Sequence, residues 1–447
     1  MKTPPDAARW RQGLFTAALG LWLGLALLKF GNPVVLDAQV KTPENLEEMI
    51  VAAWPVAWGY GLGMVGLVLG IFSGPWMRPR WSVLLFAPLV WLVWQFVAGT
   101  QTLNAALTGA TLRHFTACVA CFYLGYFALS RSRVLWPLWT GLVAGFAIVL
   151  AVGWEQHFVG LERTRKFFYE QPDWQTYPPE LLRKLASSRI YSTLFYPNTL
   201  AGVILLLLPV SLVFAWQMNR EKFEAGARWL LVVLLGVAAL ACLYWSQSKA
   251  GWLIALLLGG VALGRSPVSG RWKRTVLVGL LVFGLAGFAL KYAGYFEKGA
   301  TSAGARFDYW RAALHIWKEN PVVGTGPGTF PIAYRAIKSP ESEMARLTHN
   351  DYLEQASDSG TVGFAGYLCL VWGTMVFAWR RSLPGGDWLK FSVWLGLLGW
   401  SVQGLVEFGL YVPALAWPAF LLLGWLLAAP VNRIDKQPEP ATLAPGK

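Results

Sequence analysis

Charge is scarce in this chain. Charged residues make up 14% of its 447 positions and hydrophobic ones 55%, with a mean hydropathy of +0.44. A soluble domain is about one quarter charged, so the composition excludes that class and points to a membrane protein. Cysteine is also rare. Cys118, Cys121, Cys242 and Cys369 all lie in apolar runs, which leaves the polar loops without a thiol pair and excludes a disulfide framework. The Cys118-x-x-Cys121 pair sits mid-membrane and reads as small packing residues, not a redox motif. There are four histidines, His114, His157, His315 and His349. No H-x-x-x-H pattern or Cys/His cluster accompanies them, so no metal or other cofactor is expected. A G-K-[ST] ending is missing from the glycine cluster Gly324-Thr325-Gly326-Pro327-Gly328, which excludes a nucleotide loop and leaves a backbone bend packed close to its neighbours. No internal repeat is seen, and ionisable residues concentrate in two outer loops and not in the apolar runs, which argues against a secondary transporter. No nucleic-acid partner is expected.

Aromatic rings are abundant instead: 26 Trp and 15 Tyr, residues that collect where hydrocarbon meets headgroups. Apolar runs of spanning length fall near 12-31, 50-73, 82-98, 110-129, 134-153, 197-217, 228-246, 249-264, 275-293, 358-379, 389-408 and 411-429. The first follows Lys2, Arg9 and Arg11 without a small-residue cleavage site, so it is expected to remain in the mature protein. The fold class expected is all-α, a polytopic membrane protein with about 12 transmembrane helices and two longer periplasmic loops containing short amphipathic helices. With the N-terminus inside, the short inner loops carry Arg78, Arg80, Arg131, Arg133, Arg220, Lys222, Arg228, Arg265, Arg271, Lys273, Arg274, Arg380 and Arg381, and the tail adds Arg433 and Lys436, as the positive-inside rule requires. The organisation is then 1-153, helices 1-5; 154-196, a first periplasmic loop; 197-293, helices 6-9; 294-357, a large catalytic periplasmic loop; 358-429, helices 10-12; and 430-447, a cytoplasmic tail.

Both outer loops are basic, against the sign rule. The first holds Arg163, Arg165, Lys166, Arg183, Lys184 and Arg189, and the second Lys298, Arg306, Arg311, Lys318, Arg335, Lys338 and Arg346. Headgroup contact could account for such charge; an anionic substrate at the outer face accounts for it more specifically. In the second loop Phe307, Trp310, Leu314 and Trp317 form an apolar stripe beside Asp308, Arg311, His315 and Lys318, the pattern of an amphipathic helix that Pro321 stops. Thr348 and Asp351 have the spacing of a capping box. That places His349 in a first helical turn, where the helix dipole and nearby cations favour a neutral, proton-accepting ring.

The motifs Arg306-x-x-x-Trp310, Asn320-Pro321-x-x-Gly324-x-Gly326-x-Gly328-x-Phe330, His349-Asn350-x-Tyr352-Leu353 and Gly360-x-x-Gly363 resemble those of the O-antigen ligase and O-antigen polymerase superfamily. Arg189-Ile190 and Tyr196-Pro197-Asn198 upstream are similar to its segment entering the helix after the first periplasmic loop. The resemblance implies a metal-independent glycosyltransferase of the bacterial inner membrane, with its active site facing the periplasm. Its donor would be a glycan on undecaprenyl pyrophosphate and its acceptor a sugar hydroxyl, such as one on lipid A core. Carried over, His349 would be the base, with Arg306, Arg189 and Lys249 on the pyrophosphate. Asn350, Asp351, Tyr352 and Arg311 are candidates to orient the base or bind acceptor. The family commonly has Ser-Arg-Gly where this chain reads Ser246-Gln247-Ser248-Lys249, and a lysine there keeps the charge without the bidentate fork. O-antigen ligase is the first reading. Polysaccharide polymerase and protein O-oligosaccharyltransferase share the same donor and site.

Overall fold

A computed structural model of the chain describes residues 5–74, 82–177, 182, 185–217, 223–297, 301–381, 383 and 386–428. Lys2, Arg78, Arg80, Arg183, Lys184, Arg220, Lys222, Lys298 and the tail with Arg433 and Lys436 lie outside them.

Within the described residues the chain is helical, with no strand. The first part runs through α1 (Pro5–Lys29), α2 (Leu46–Val51), α3 (Val56–Phe72), α4 (Val83–Gly99), α5 (Ala105–Tyr123), α6 (Trp136–Glu155) and α7 (Leu161–Tyr169). The middle part comprises α8 (Pro197–Gln217), α9 (Ala225–Ser246), α10 (Lys249–Arg265), α11 (Gly270–Glu297), α12 (Thr301–Glu319) and α13 (Phe330–Ile337). It closes with α14 (Asp351–Leu368), α15 (Thr374–Arg381), α16 (Trp388–Gln403) and α17 (Pro413–Leu427).

Every apolar run marked in the sequence contains a helix, and seven helical stretches are long and apolar enough to cross a membrane: Ala7–Lys29, Ala105–Arg131, Trp136–Tyr169, Pro197–Gln217, Ala225–Ser246, Gly270–Ala293 and Asp351–Arg381. Val56–Phe72, Val83–Gly99 and Pro413–Leu427 are apolar but shorter. The runs at 249-264 and 389-408 are helices of 17 and 16 residues. The second of these ends at Gln403, five residues before the expected span. Residues 404–412 instead form an irregular connection, whose 3-10 turn is Gly409–Tyr411.

The last expected span also differs. α17 has 15 residues and is buried along its whole length; at 1.5 Å per residue it rises about 22 Å, short of a hydrocarbon core of about 30 Å. It is the central helix, packed by α1, α5, α8, α15 and α16, so its apolarity faces protein and not lipid.

α1 and α6 pack backbone to backbone. A Cβ on Gly24 would lie 2.4 Å from the carbonyl oxygen of Gly141, and one on Gly141 would lie 2.4 Å from the carbonyl carbon of Gly20. Gly20-x-x-x-Gly24 faces Gly141-x-x-x-Gly145, the small-residue spacing that lets helices approach closely where no hydrophobic effect drives them together. Between α4 and α14 the contact is polar: Trp91 Nε1 and Gln95 Nε2 donate to Gln355 Oε1 at 2.8 and 3.0 Å, and Gln355 Nε2 donates to Tyr411 Oη at 3.1 Å.

The loop helix α12 appears where the apolar spacing placed it and ends before Pro321. Its buried side, however, is Tyr309, Ala312, Ala313 and Ile316, packed on Phe330 and Tyr334 of α13, while Phe307 and Leu314 are exposed. Small and aromatic residues between the expected stripes win because α13 and α14 cover that face.

Gly24→Leu forces a branched side chain into the backbone of α6, and should cost about 3 kcal/mol, the upper part of the overpacking range. Gly61→Leu, with nothing within 4 Å of its Cβ, should leave thermal unfolding in detergent near wild type. Equal melting of the two variants would contradict the packing described.

Candidate active site

The site lies where α8, α12, the stretch before α14 and the 404–412 connection meet. Its ordering begins with a glycine bend. Gly324, Gly326 and Gly328 have φ of +67°, +105° and +78°, a region open to glycine and costly for other residues. The N–H groups of Thr325 and Gly326 donate to the carbonyls of Ser357 and Asp358 at 3.1 and 2.8 Å. α14 breaks at this point, at Ser359 and Gly360. A Cβ on Gly324 would meet the Asp358 carbonyl carbon at 2.3 Å, and one on Gly360 the Val322 oxygen at 2.0 Å. The bend is therefore a close-packed backbone joint, as its composition implied.

The N-terminus of α14 departs from the capping box. Asn350 is the cap, its side chain accepting from the N–H groups of Tyr352 and Leu353 at 3.0 Å each. Thr348 Oγ1 donates to the Asn350 carbonyl at 2.8 Å. His349 therefore precedes the helix instead of sitting in its first turn, in the left-handed region at φ +53°, a conformation costing a non-glycine residue about 1–3 kcal/mol. A carboxylate, not a helix end, faces its ring.

That carboxylate is Glu407. Its Oε2 lies 3.1 Å from His349 Nδ1. Its Oε1 accepts from Arg306 Nη2 and, at 2.6 Å, from Asn198 Nδ2. Burial pushes the Glu407 pKa up, but Arg306, His349 and Arg189 outweigh burial and hold it below the ordinary value. Asn198 passes the network on, its Oδ1 accepting from Arg189 Nη2 at 2.8 Å, while Arg189 Nε donates to the Ser246 carbonyl at 2.9 Å.

The connection bearing Glu407 is clamped from both sides. The Asp351 N–H donates to the Gly404 carbonyl at 2.7 Å, the Asp351 carboxylate accepts from the Leu410 N–H at 3.0 Å, and His114 Nε2 meets the Leu410 carbonyl at 2.8 Å. The structure thus buries Asn350, Asp351 and Tyr352 as elements of the site's frame; Tyr352 Oη donates to the Ser401 carbonyl. Arg311 lies on the far, exposed side of α12 and is not brought to Glu407.

Lys249 is delivered by a local turn. α9 ends at Gln247 with φ +53°, and Ser248 caps α10 by accepting from the Gly251 N–H at 3.2 Å. The Lys249 ammonium lies 5.2 Å from the centre of the Tyr292 ring and within electrostatic reach of Arg189 and Arg306. Arg306 and Arg189 thus act on Glu407 and Lys249 on both arginines, and even counting Asp351 the positive charge of the group is in excess, which suits an anion. His349 is 27% exposed, flanked by Tyr309 and Phe408 with ring centres 6.1 and 4.7 Å away. Its Nε2 has no hydrogen-bond partner among the described residues. With Nδ1–H donating to Glu407, Nε2 is free to accept a proton from a molecule at the opening. Among the described residues no three His, Cys, Asp or Glu side chains gather as a metal site.

Sequence reading missed Glu407 by placing it inside a span. The signal was there, since one carboxylate in the apolar stretch Ser401–Leu410 is costly unless paired.

Residues 234–368 match the family described as O-Antigen ligase. The matched region includes Arg306, His349 and Lys249 and leaves out Arg189, Asn198 and Glu407. It supports a place for the chain in the O-antigen ligase superfamily, as the motifs of the second loop suggested. An uncharacterised protein of Haemophilus influenzae is 27% identical over 315 residues, covering 67% of this chain and 65% of that relative. The chain thus matches just under two thirds of that relative's length.

Removing Glu407 leaves Arg306 and His349 without their carboxylate, and breaking such a buried pair costs about 3–5 kcal/mol. Glu407→Ala should therefore unfold well below wild type at pH 7. A carboxylate whose folded pKa is depressed stabilises above its unfolded value, 4.5, and loses that contribution as pH falls through the folded value. The gap between the two proteins should accordingly shrink in thermal melts below pH 4.5; a gap independent of pH would rule out the ionised pair.

Proposed function

From the O-antigen ligase domain that residues 234–368 carry, we propose that this chain is a membrane glycosyltransferase. It moves a glycan from undecaprenyl pyrophosphate to a sugar hydroxyl at the periplasmic face of the inner membrane, with O-antigen ligase as the specific reading. The observation that carries the proposal is His349, held at Nδ1 by Glu407 with Nε2 unbonded, and Arg306 on the same carboxylate.

In this reading the acceptor hydroxyl docks against Nε2. As its oxygen attacks the anomeric carbon, its proton passes to Nε2, and the bond from that carbon to the pyrophosphate oxygen breaks with its electron pair going to the leaving group. Attack from the face opposite the pyrophosphate inverts the anomeric centre. Glu407 holds the ring in the tautomer that accepts at Nε2 and stabilises the imidazolium that forms, the part an acidic partner takes beside a catalytic histidine. The developing charge on the pyrophosphate meets the guanidinium donors of Arg306 that Glu407 does not use, together with the ammonium of Lys249. Arg189 supports from behind through Asn198, adding charge more than direct contact. The apolar helices supply the scaffold, and the basic outer loops the attraction for an anionic carrier.

The test is transfer of a radiolabelled glycan from undecaprenyl pyrophosphate to lipid A core by purified protein in the presence of EDTA. His349→Ala should lose about 10²–10⁴-fold in rate, the usual share of a general base, measured at a temperature where the variant is still folded. Glu407→Gln should lower kcat by a smaller factor. Lengthening of the glycan on its own carrier would replace ligase with polymerase. No transfer by wild type to any glycan would sink the proposal.

A further inference from the structure

α12 has a second polar face. Asp308, Arg311, Ala312 and His315 recur along it at helical spacing, turned from the side that carries Arg306 and Tyr309 to the site. Together with Tyr334 and Ile337 of α13, and Lys338, Ser339 and Ser342 beyond it, they enclose an open cavity of about 310 Å³. None of these residues bonds to Glu407 or His349.

The polar groups of this cavity are only partly spent on each other: Ser339 Oγ and Ser342 Oγ share a hydrogen bond at 2.8 Å and His315 Nε2 meets Glu319 at 3.2 Å. Asp308 Oδ2 accepts from Ser342 Oγ at 3.2 Å, while its Oδ1 is 3.8 Å from Arg311 Nη1, well beyond the roughly 2.7–2.9 Å of a charge-assisted hydrogen bond. Arg311 is 81% exposed at its side chain and has no closer polar contact among the described residues. Lys338 Nζ donates to the carbonyls of Ser339 and Ser342 at 3.1 and 2.9 Å, leaving one of its three hydrogens for a ligand. Among the lining side chains two cations, Arg311 and Lys338, stand against the carboxylate of Asp308, with Glu319 on His315 and Glu343 near Tyr334 outside the lining, so an anion is met by Arg311 and Lys338. Ala312, Ile337 and the Tyr334 ring give the wall an apolar patch, and Ser339 and Ser342 add hydroxyls.

An apolar patch ringed by hydroxyls and cations matches one kind of molecule: a sugar ring, with its C–H face and hydroxyl rim, that also bears an anionic group. The volume sits at the bottom of the roughly 300–1,000 Å³ range of ligand sites, which fits one or two sugar residues and excludes a long glycan. The Tyr334 ring at the cavity lies 5.5 Å from that of Tyr309, which in turn stacks 6.1 Å from His349. Two buried tyrosine rings thus lie between the cavity and His349, and a saccharide reacting at His349 would reach the cavity by passing around them.

We propose that the cavity is a subsite for a carboxylate- or phosphate-bearing sugar residue, gripped by Arg311 and Lys338. The glycan-transfer reading underlies its use, but binding can be measured without transfer. The probes are glucuronate, glucose 6-phosphate and glucose, titrated by saturation-transfer NMR against the full chain in nanodiscs. Both anionic sugars should bind at least about tenfold more tightly than glucose, and the variant Arg311→Ala/Lys338→Ala should lose about tenfold, one charge-assisted hydrogen bond's worth. His349→Ala should bind them as wild type does. Arg311→Ala alone, at an exposed position, guards against misfolding and should show part of the loss. Equal binding of glucose and glucuronate, or undiminished binding by the double variant, overturns the proposal. In the transfer assay, a raised KM for acceptor alone assigns the subsite to the acceptor glycan and a raised KM for donor alone to the donor glycan. Unchanged KM for both overturns it even if the free sugars bind. Wild type that binds these sugars yet transfers nothing would refute the glycosyltransferase reading and leave the subsite standing.

Discussion

Glu407 is the constraint on which the site depends. Residues at 198, 306 and 349 have no local reason to meet, and one carboxylate with a side-chain exposure of 7% accepts from all three. Burying a charge is expensive unless it is paired and fully hydrogen-bonded. Once Glu407 is buried, Arg306, Asn198 and His349 are its solvation shell, and moving any of them exposes the others to the same cost. The histidine's orientation and the arginine's position are thus consequences of a single desolvation problem.

The frame around that carboxylate is built from backbone. α14 begins with acidic side chains, and each ties down a different segment: Asp351 takes the Leu410 N–H, Glu354 the Thr348 N–H, and Asp358 the Gly328 and Phe330 N–H groups at 2.6 and 3.1 Å. The 404–412 connection, the stretch before α14 and the glycine bend are all anchored to one helix. Buried irregular backbone needs this kind of internal satisfaction, because an unpaired N–H or C=O away from water is costly. The strain at His349 is sustained by the same anchors, Thr348 on one side and the Asn350 cap on the other.

α12 works as a two-sided element. One side presents Arg306 and Tyr309 to Glu407 and His349, and another presents Arg311 and His315 to the cavity above α13. Its buried small residues, Ala312 and Ala313, let it lie close to its neighbours.

Much of this was legible in the sequence. Long apolar runs dictate helices, because a chain in hydrocarbon must satisfy its own N–H and C=O groups, and the glycine bend followed from the cluster at 324–328. Arg189, Lys249, Arg306 and His349 were marked by residue type and motif, and the structure brings them to one place. Arg311 was marked on the same grounds and lies elsewhere, since one turn of helix decides which face a residue occupies. The tertiary structure alone decided that α17 is interior, that Tyr309, Ala313 and Ile316 face inward on α12, and that Asn350 is the cap in place of Thr348. It alone supplied Glu407 as the partner of His349 and Arg306. Hydropathy and local spacing report what a segment can be in isolation. Which charges meet is set by long-range packing, and a single carboxylate between two apolar helices becomes interpretable only when its three donors are seen around it.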